Sequence, residues 1–539
     1  MTTIGSGGDT TAAAAGGGLQ GKSRRLGLLL AAAMFVLVVD TSLMNVSIAY
    51  VVRDLHATVS GVQAAIALEA LVSAAFILIG GKVGDLIGRR RAYALGLVGY
   101  AIGAVAMTLS QSLTAVIVFW AIVGGTGASL LLPAMQSLIH GNFEGDAQRR
   151  VYALVGAAAS IAAAIGPLLG GFITTFLSWR VAFGLEAAII AVVLSGLGLV
   201  RDVPFTGERA IDTVGAALSV VGMGGIVTGI LVWQEGGESV AALIVLGVLA
   251  MVALVWWLRR RKRQKRPALL DPDLFRSPAF RLGVTQQMLQ QIALGGAMIA
   301  LPIYLQMVLE YNALQAGLSL APLSLSMFGV AVLAGKKAKG RRPAPIIRIG
   351  FLLVSLGFAV LLPFIPRVDS GWYLVLPLAI TGSGLGLLVS QLNNFTLGPI
   401  EEERISEAAG VNSAAGSFGL SFGLAAAGAI MLATLSVAFT QKVEASAVLP
   451  PAQQSRITDV LDEDAEVMSN TQLEELLADE PPAVQAEIVD INTDTRPLAL
   501  QIALLVPLIA GLLGLANSFR MARLTDTART PVAGDPVLG

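Results

Sequence analysis

The chain has 539 residues, of which 55% are hydrophobic and 13% charged. A soluble globular chain carries roughly 25% charged residues, so this deficit, with a mean hydropathy of +0.75, excludes a polymer that mostly faces water. Lys+Arg and Asp+Glu both total 36, which gives no hint of a nucleic-acid partner. The absence of cysteine excludes disulfides, thiolate metal sites and a cysteine nucleophile, and two histidines, His56 and His140, make a histidine metal site an unlikely expectation.

The first residues are almost all Gly, Ala, Ser and Thr, so 1–25 reads as a disordered cytoplasmic tail without the pattern of a cleavable signal peptide. Apolar runs then follow at about 26–52, 61–82, 92–109, 113–138, 151–176, 181–200, 213–233, 239–258, 283–308, 316–335, 348–365, 372–396, 411–438 and 498–518. Each approaches the 20 residues that cross about 30 Å of hydrocarbon. Lipid demands internally satisfied backbone, so these runs predict about fourteen helices.

The loops test that count, because positive charge collects in alternate, cytoplasmic connections. Lys22, Arg24 and Arg25 precede the first run. Same-side clusters follow at Arg89 to Arg91, Arg149 and Arg150, Arg201 and Arg209, Arg259 to Arg266, Lys336 to Arg342, Arg404, and Arg520 with Arg523. Intervening loops hold isolated cations such as Arg53, Arg180 and Arg367. The alternation predicts a multi-pass inner-membrane protein with both termini in the cytoplasm.

The loop from about 440 to 497 is acidic and falls on the outside. Thr471 and Glu474 fit a capping box, and Pro481 with Pro482 suits the start of another short helix. Leu473, Leu476, Leu477, Val484, Ile488 and Val489 form an apolar stripe at helical spacing. Two readings stay open: a solvated loop with surface helices, or a lid over the external mouth.

Several segments resemble the major facilitator superfamily, in particular its fourteen-helix drug:proton antiporter branch. Gly81, Asp85, Gly88, Arg89 and Arg90 stand as in the signature loop between helices 2 and 3. Asp40, Thr41 and Asn45 stand as in the first-helix motif, and Gly166, Pro167, Gly170 and Gly171 as in the helix-5 antiporter motif. Ser178-Trp179-Arg180, Leu269-Leu270-Asp271 with Leu274, Phe275 and Phe280, Tyr304 with Gln306, and Leu314 with Gly317 continue the ordered series over about 26–440 and 498–520. The resemblance implies an all-α polytopic fold: two six-helix bundles over 26–200 and 283–518, two inserted helices and a basic linker over 201–282, and a cytoplasmic tail over 519–539. It also implies a central cavity exposed to each side in turn. Asp85 is then a breakable latch on the cytoplasmic side, against the plainer reading that the arginines only set topology. Gly166 and Pro167 permit close helix contact.

Intramembrane carboxylates are costly and are functional candidates by default. Asp40, Glu69 and Glu186 qualify. At 1.5 Å per residue, Asp40 lies roughly 21 Å into its helix and Glu69 roughly 12 Å in from the other side, so the two are at similar depth. A carboxylate moved out of water holds its proton more tightly, as proton-coupled exchange requires. The family usually has tyrosine at Glu69 and, at Glu186, an asparagine near the membrane surface, where a helix-end role is expected. Helix 4 departs from the family: Ala121 and Gly124 stand where proton-coupled relatives carry Arg and Gln. Asp40 and Glu69 therefore lack the usual cationic partner.

Cavity-lining candidates are Asn45, Thr126, Gln136, Gln287, Gln291, Gln391 and Asn394, with interhelical glue as the alternative for the amides. Gln287 and Gln291, four apart, share one helix face. Trp120, Met298 and Met307 are candidate apolar walls or plain packing. No catalytic triad, metal cluster or phosphate loop appears, so neither an enzyme nor a cofactor is expected. The function implied is export of hydrophobic or amphipathic, drug-like compounds by a monomer surrounded by membrane lipids, in exchange for protons. The alternative is export or flipping of lipid or lysolipid-like molecules without the usual proton coupling.

Overall fold

The structure, a computed structural model, describes residues 21–202, 211–234, 240–337, 342–365, 370–401, 404–451, 454, 469–521 and 523–524. Among the described residues, fourteen helices are long and apolar enough to cross a membrane. They are α1 (Gly21–Leu55), α2 (Val59–Ile87), α3 (Arg89–Leu109), α4 (Leu113–Asn142), α5 (Gly145–Phe176), α6 (Trp179–Leu199), α7 (Thr213–Trp233), α8 (Val240–Arg263), α9 (Pro278–Val308), α10 (Ala313–Gly335), α11 (Pro343–Phe364), α12 (Gly371–Leu397), α13 (Glu407–Ala445) and α14 (Pro482–Met521). Every apolar run of the sequence has its helix, as the backbone's need for internal hydrogen bonds in lipid dictates. An even number of spans puts the first and last helix ends on one face, the terminal face. The 440–497 segment lies on the other, the loop face.

Two boundaries differ from the hydropathy reading. α1 already begins at Gly21, so of the tail expected over 1–25 only residues 1–20 lie outside the described residues. α14 begins at Pro482 rather than near 498, and α13 runs on to Ala445. Polar residues at these ends hid helices that continue past the apolar stretch. Pro482 opens a helix, since a missing N–H costs nothing in a first turn, but that helix is the long α14 and not the short separate one expected.

α1–α6 form one bundle and α9–α14 the other, with α7 and α8 packed together and α7 against α2 and α13. The bundles meet along two seams in the loop-face half. On α5 and α10, a Cβ at Gly171 would lie 2.4 Å from the Ala313 carbonyl oxygen, and one at Gly317 2.3 Å from that of Pro167. Only glycine lets these backbones approach so closely. Leu314 N–H donates to Thr175 Oγ1 at 3.0 Å on the same seam. On α2 and α13, Gln63 Nε2 donates to the Leu424 carbonyl (3.3 Å) and Ser421 Oγ to that of Ala67 (2.6 Å). Toward the terminal face a Cβ on Gly156 of α5, or on Gly329 or Gly335 of α10, meets nothing within 4 Å, whereas α2 and α13 stay in contact, a Cβ at Gly410 lying 3.6 Å from Leu78 Cδ2.

The inserted pair is tied down by its linker. Leu269, Leu270, Leu274 and Phe280 bury with Ala408 and Val411 of α13. Asp271 binds Lys262 at 2.8 Å and Arg404 at 3.0 Å, and its N–H donates to Glu407 at 2.6 Å. Burial alone would raise the Asp271 carboxyl, but the Lys262 ammonium, the Asp273 N–H and the Arg404 guanidinium outweigh it and hold it below the ordinary value of 3.8.

The described part of the 440–497 segment packs on the second bundle. Leu473, Leu477, Val484, Ile488 and Val489 join Phe439 and Val443 in one apolar cluster, whereas Leu476 of the expected stripe points outward. The short helix Asn470–Leu476 does not use the expected capping box. Glu310, from the loop after α9, takes the Thr471 N–H (3.2 Å) and hydroxyl (2.7 Å) instead. Buried Arg496 of α14 donates to the Met307 carbonyl and to Asn470 Oδ1, both at 2.6 Å. Asp462, Glu463 and Asp464 of the acidic run lie outside the described residues.

Candidate functional site

Asp40 sits inside the first bundle, buried in α1. It accepts a hydrogen bond from the Tyr100 hydroxyl of α3. Trp120 Nε1 of α4 donates to both of its oxygens, at 3.0 and 2.9 Å. Trp120 lies in a π-helical stretch, Val116–Gly124, a widened turn of the kind that often marks functional sites. Its ring meets Phe183 of α6 edge-on at 6.3 Å.

Small residues bring the surrounding helices this close. Gly103 of α3 faces the Phe119 carbonyl of α4, Gly96 faces that of Gly127, and Gly125 abuts the Glu69 carbonyl of α2. Glu69 and Glu186 are buried too, each within electrostatic reach of Asp40. All three carboxylates act electrostatically on Tyr100. Both Glu186 oxygens are buried without a hydrogen-bond partner. Glu186 thus belongs to this cluster in the interior, not to a helix end. Among the described residues, no Lys, Arg or His forms an ion pair with any of the three. Ala121, at the position of the missing arginine, is fully buried, and the adjacent indole supplies the donor instead.

The signature loop lies apart from the cluster, at the terminal end of α2, whereas the helix-5 motif packs on α1 beside Asp40. Asp85 pairs with Arg89, four residues on, and Arg89 Nη1 donates to the Gly81 carbonyl at 3.1 Å. Gly88 turns the chain between α2 and α3 with φ of 96°, a left-handed conformation that favours glycine. Asp202, beyond α6, accepts the Arg90 N–H at 3.0 Å. The motif is therefore bound within its own bundle. In the helix-5 motif, Gly166 packs on Ser42 and Gly170 on Leu43 of α1, while Gly171 faces α10 across the seam. Pro167 offers its carbonyl to that same seam.

The sequence profile described as Major Facilitator Superfamily matches residues 30–213 and 208–424. The chain belongs to the major facilitator superfamily. It is 28% identical to the multidrug resistance protein Stp of Mycobacterium tuberculosis, over 79% of each chain. It is also 28% identical to the multidrug export protein EmrB of Escherichia coli, over 73% of this chain and 78% of that one. These relatives stand in the multidrug-efflux branch that the motifs resemble. A bacterial homologue of the human lysosomal transporter Spinster, solved inward-facing and unoccupied, superposes with a TM-score of 0.62 at 13% identity, covering 94% of this chain and 100% of that one. That likeness shows the fold.

Within this facilitator, the cavity candidates divide. Gln287 and Gln291 are half-buried and share the face of α9 that meets Gly416 of α13, as their spacing implies. Asn45 donates to the Thr41 carbonyl at 2.8 Å and sits where α1 meets Met298 of α9. Gln391 is buried in α12, donating weakly to Ser390. Asn394 is exposed toward the terminal face. Thr126 returns its hydroxyl to the Ile122 carbonyl, one turn back on an exposed strip of α4. Gln136 contributes its backbone carbonyl to Tyr152 of α5. Gln286 is pure glue, donating to the Gly514 carbonyl of α14.

Sequence reasoning passed over Tyr100 and undervalued Trp120. Their one local signal is the run of glycines at 96, 103, 124 and 127, which marks where α3 and α4 close together.

Proposed function

We propose that this protein exports hydrophobic or amphipathic, drug-like compounds from the cytoplasm by alternating access, driven by exchange with protons at the Asp40, Glu69 and Glu186 cluster. The observation that carries this reading is a set of three buried carboxylates without an ion-pairing cation among the described residues, in a bundle that meets its partner along glycine-lined seams. The basic loops support placing the terminal face in the cytoplasm, in an inner membrane. A lone charge in an apolar interior is costly, so a carboxylate without a donor is better accommodated protonated. Exchange then works by linkage. Rocking of the bundles about the glycine seams alters how far the cluster is hydrated, and a bound proton is released when water or a cationic substrate reaches it. Asp40 is the central group, because Tyr100 and Trp120 already orient it. The names of the relatives Stp and EmrB support the substrate class.

Proteoliposomes loaded with a fluorescent amphipathic dye, with an imposed pH gradient, test this. The wild type is expected to move dye against its gradient; Asp40→Asn is expected to lose gradient-driven movement, and Glu69→Gln most of it. Dye movement indifferent to the pH gradient removes the proton coupling. Wild-type rates in both variants remove the site assignment.

A further inference from the structure

The inserted helices carry a feature that transport does not use. α7 and α8 are locked backbone to backbone, with a Cβ at Gly225 only 2.9 Å from Gly247 Cα. On their outer side lies a groove of about 780 Å³ lined by Ile226, Val252 and Trp256 and, at its terminal-face end, by Arg259, Arg260 and Arg263. Val252 is 63% and Trp256 59% exposed to whatever surrounds the protein. The cations at the end of α8 fall into two sets. Arg261 lies 3.9 Å from Asp212 and Lys262 binds Asp271 and Asp273, so these two serve the protein. Arg259, Arg260 and Arg263 have no carboxylate partner among the described residues. Arg260 instead stacks over Trp256 at 5.3 Å, which holds its guanidinium at the groove's mouth.

We propose that this groove binds an anionic glycerophospholipid of the surrounding bilayer, its acyl chains along Val252, Trp256 and Ile226 and its phosphate on Arg259, Arg260 and Arg263. An apolar trough ending in unpartnered guanidiniums at headgroup level complements such a molecule in both polarity and charge. A plain lipid-facing surface accounts for the apolar residues, and the cytoplasmic bias of positive charge accounts for cations at this end of α8. Neither accounts for three of them lining the mouth of one concave trough without a carboxylate partner among the described residues. The site rests on the membrane-spanning fold, not on the transport reading.

Native mass spectrometry of the detergent-purified protein with phosphatidylglycerol and phosphatidylcholine of identical chains tests it. The wild type is expected to retain phosphatidylglycerol in preference. With roughly 1 kcal/mol per basic residue near a lipid surface, the variant Arg259→Gln/Arg260→Gln/Arg263→Gln is expected to retain at least about tenfold less. Arg24→Gln/Arg25→Gln, on the same face, is expected to retain as much as the wild type. Val252→Trp, at an exposed position, fills the trough without touching charge and is expected to weaken retention as well. Equal retention of the two lipids, or undiminished phosphatidylglycerol on the triple variant, overturns the proposal. So does a dimer that the triple variant abolishes, because a second copy then covers this face.

Discussion

Trp120 Nε1 lies 3.0 and 2.9 Å from the two carboxylate oxygens of Asp40, on a helix 80 residues away in sequence. With Tyr100 it gives a buried acid two neutral donors in a protein whose fourth helix lacks the family's usual cation. Neutral donors orient a carboxylate without pairing its charge, which leaves the charge itself free to be exchanged.

Trp120→Phe keeps an aromatic ring against Phe183 and removes only the donor. Leaving a buried acceptor short of a partner costs about 1–3 kcal/mol. A lower Tm in detergent is expected for Trp120→Phe and for Asp40→Asn, with the double variant losing less than their sum. Strict additivity in that cycle means the two side chains do not interact in the folded protein.

The chain has no cysteine, so introduced pairs report without background. Thr175→Cys with Leu314→Cys spans the α5–α10 seam, where the hydroxyl and the amide are 3.0 Å apart. Oxidation is expected to link the pair and stop dye transport, and reductant to restore it. A fully linked protein that transports at the wild-type rate rules out opening at this seam.

Arg496 ties the short helix Asn470–Leu476 to the end of α9. Arg496→Met is expected to destabilise by about 1–3 kcal/mol through the orphaned Met307 carbonyl, since Asn470 Oδ1 keeps its bond from Asn492. Faster proteolysis between α13 and α14, with unchanged cutting elsewhere, is the readout. Equal cutting in variant and wild type assigns the docking to the apolar cluster alone.

The Asp271 carboxyl is held below its ordinary value of 3.8. A group depressed on folding contributes stability that is complete above the unfolded value and fades as pH falls through the folded one. The linker's hold on α13 is therefore expected to be intact at pH 6 and to weaken below about pH 4. Asp271→Asn is expected to have a lower Tm than wild type at pH 6, with the gap closing on acidification. A gap that persists at pH 3 means the substitution acts through something other than this titration.

Much of the architecture was legible locally. Each run near 413 or 153 has one stable form in lipid, and the arginines at 89–91 and 259–266 mark alternate loops. The polar ends of α13 and α14 were not legible, because hydropathy sees the membrane and not the helix. Thr471 and Glu474 looked like a capping box, yet a carboxylate brought in from Glu310 took that role.

The sequence by itself determined the number of spans, their alternation and the presence of three acids where acids are costly, since the bilayer imposes these residue by residue. Tertiary structure alone decided that Tyr100 and Trp120 meet Asp40, that Glu186 joins it from α6, and that the bundles meet along glycine-lined seams. Those facts depend on how closely glycines let distant helices approach, and such distances are set through space rather than along the chain.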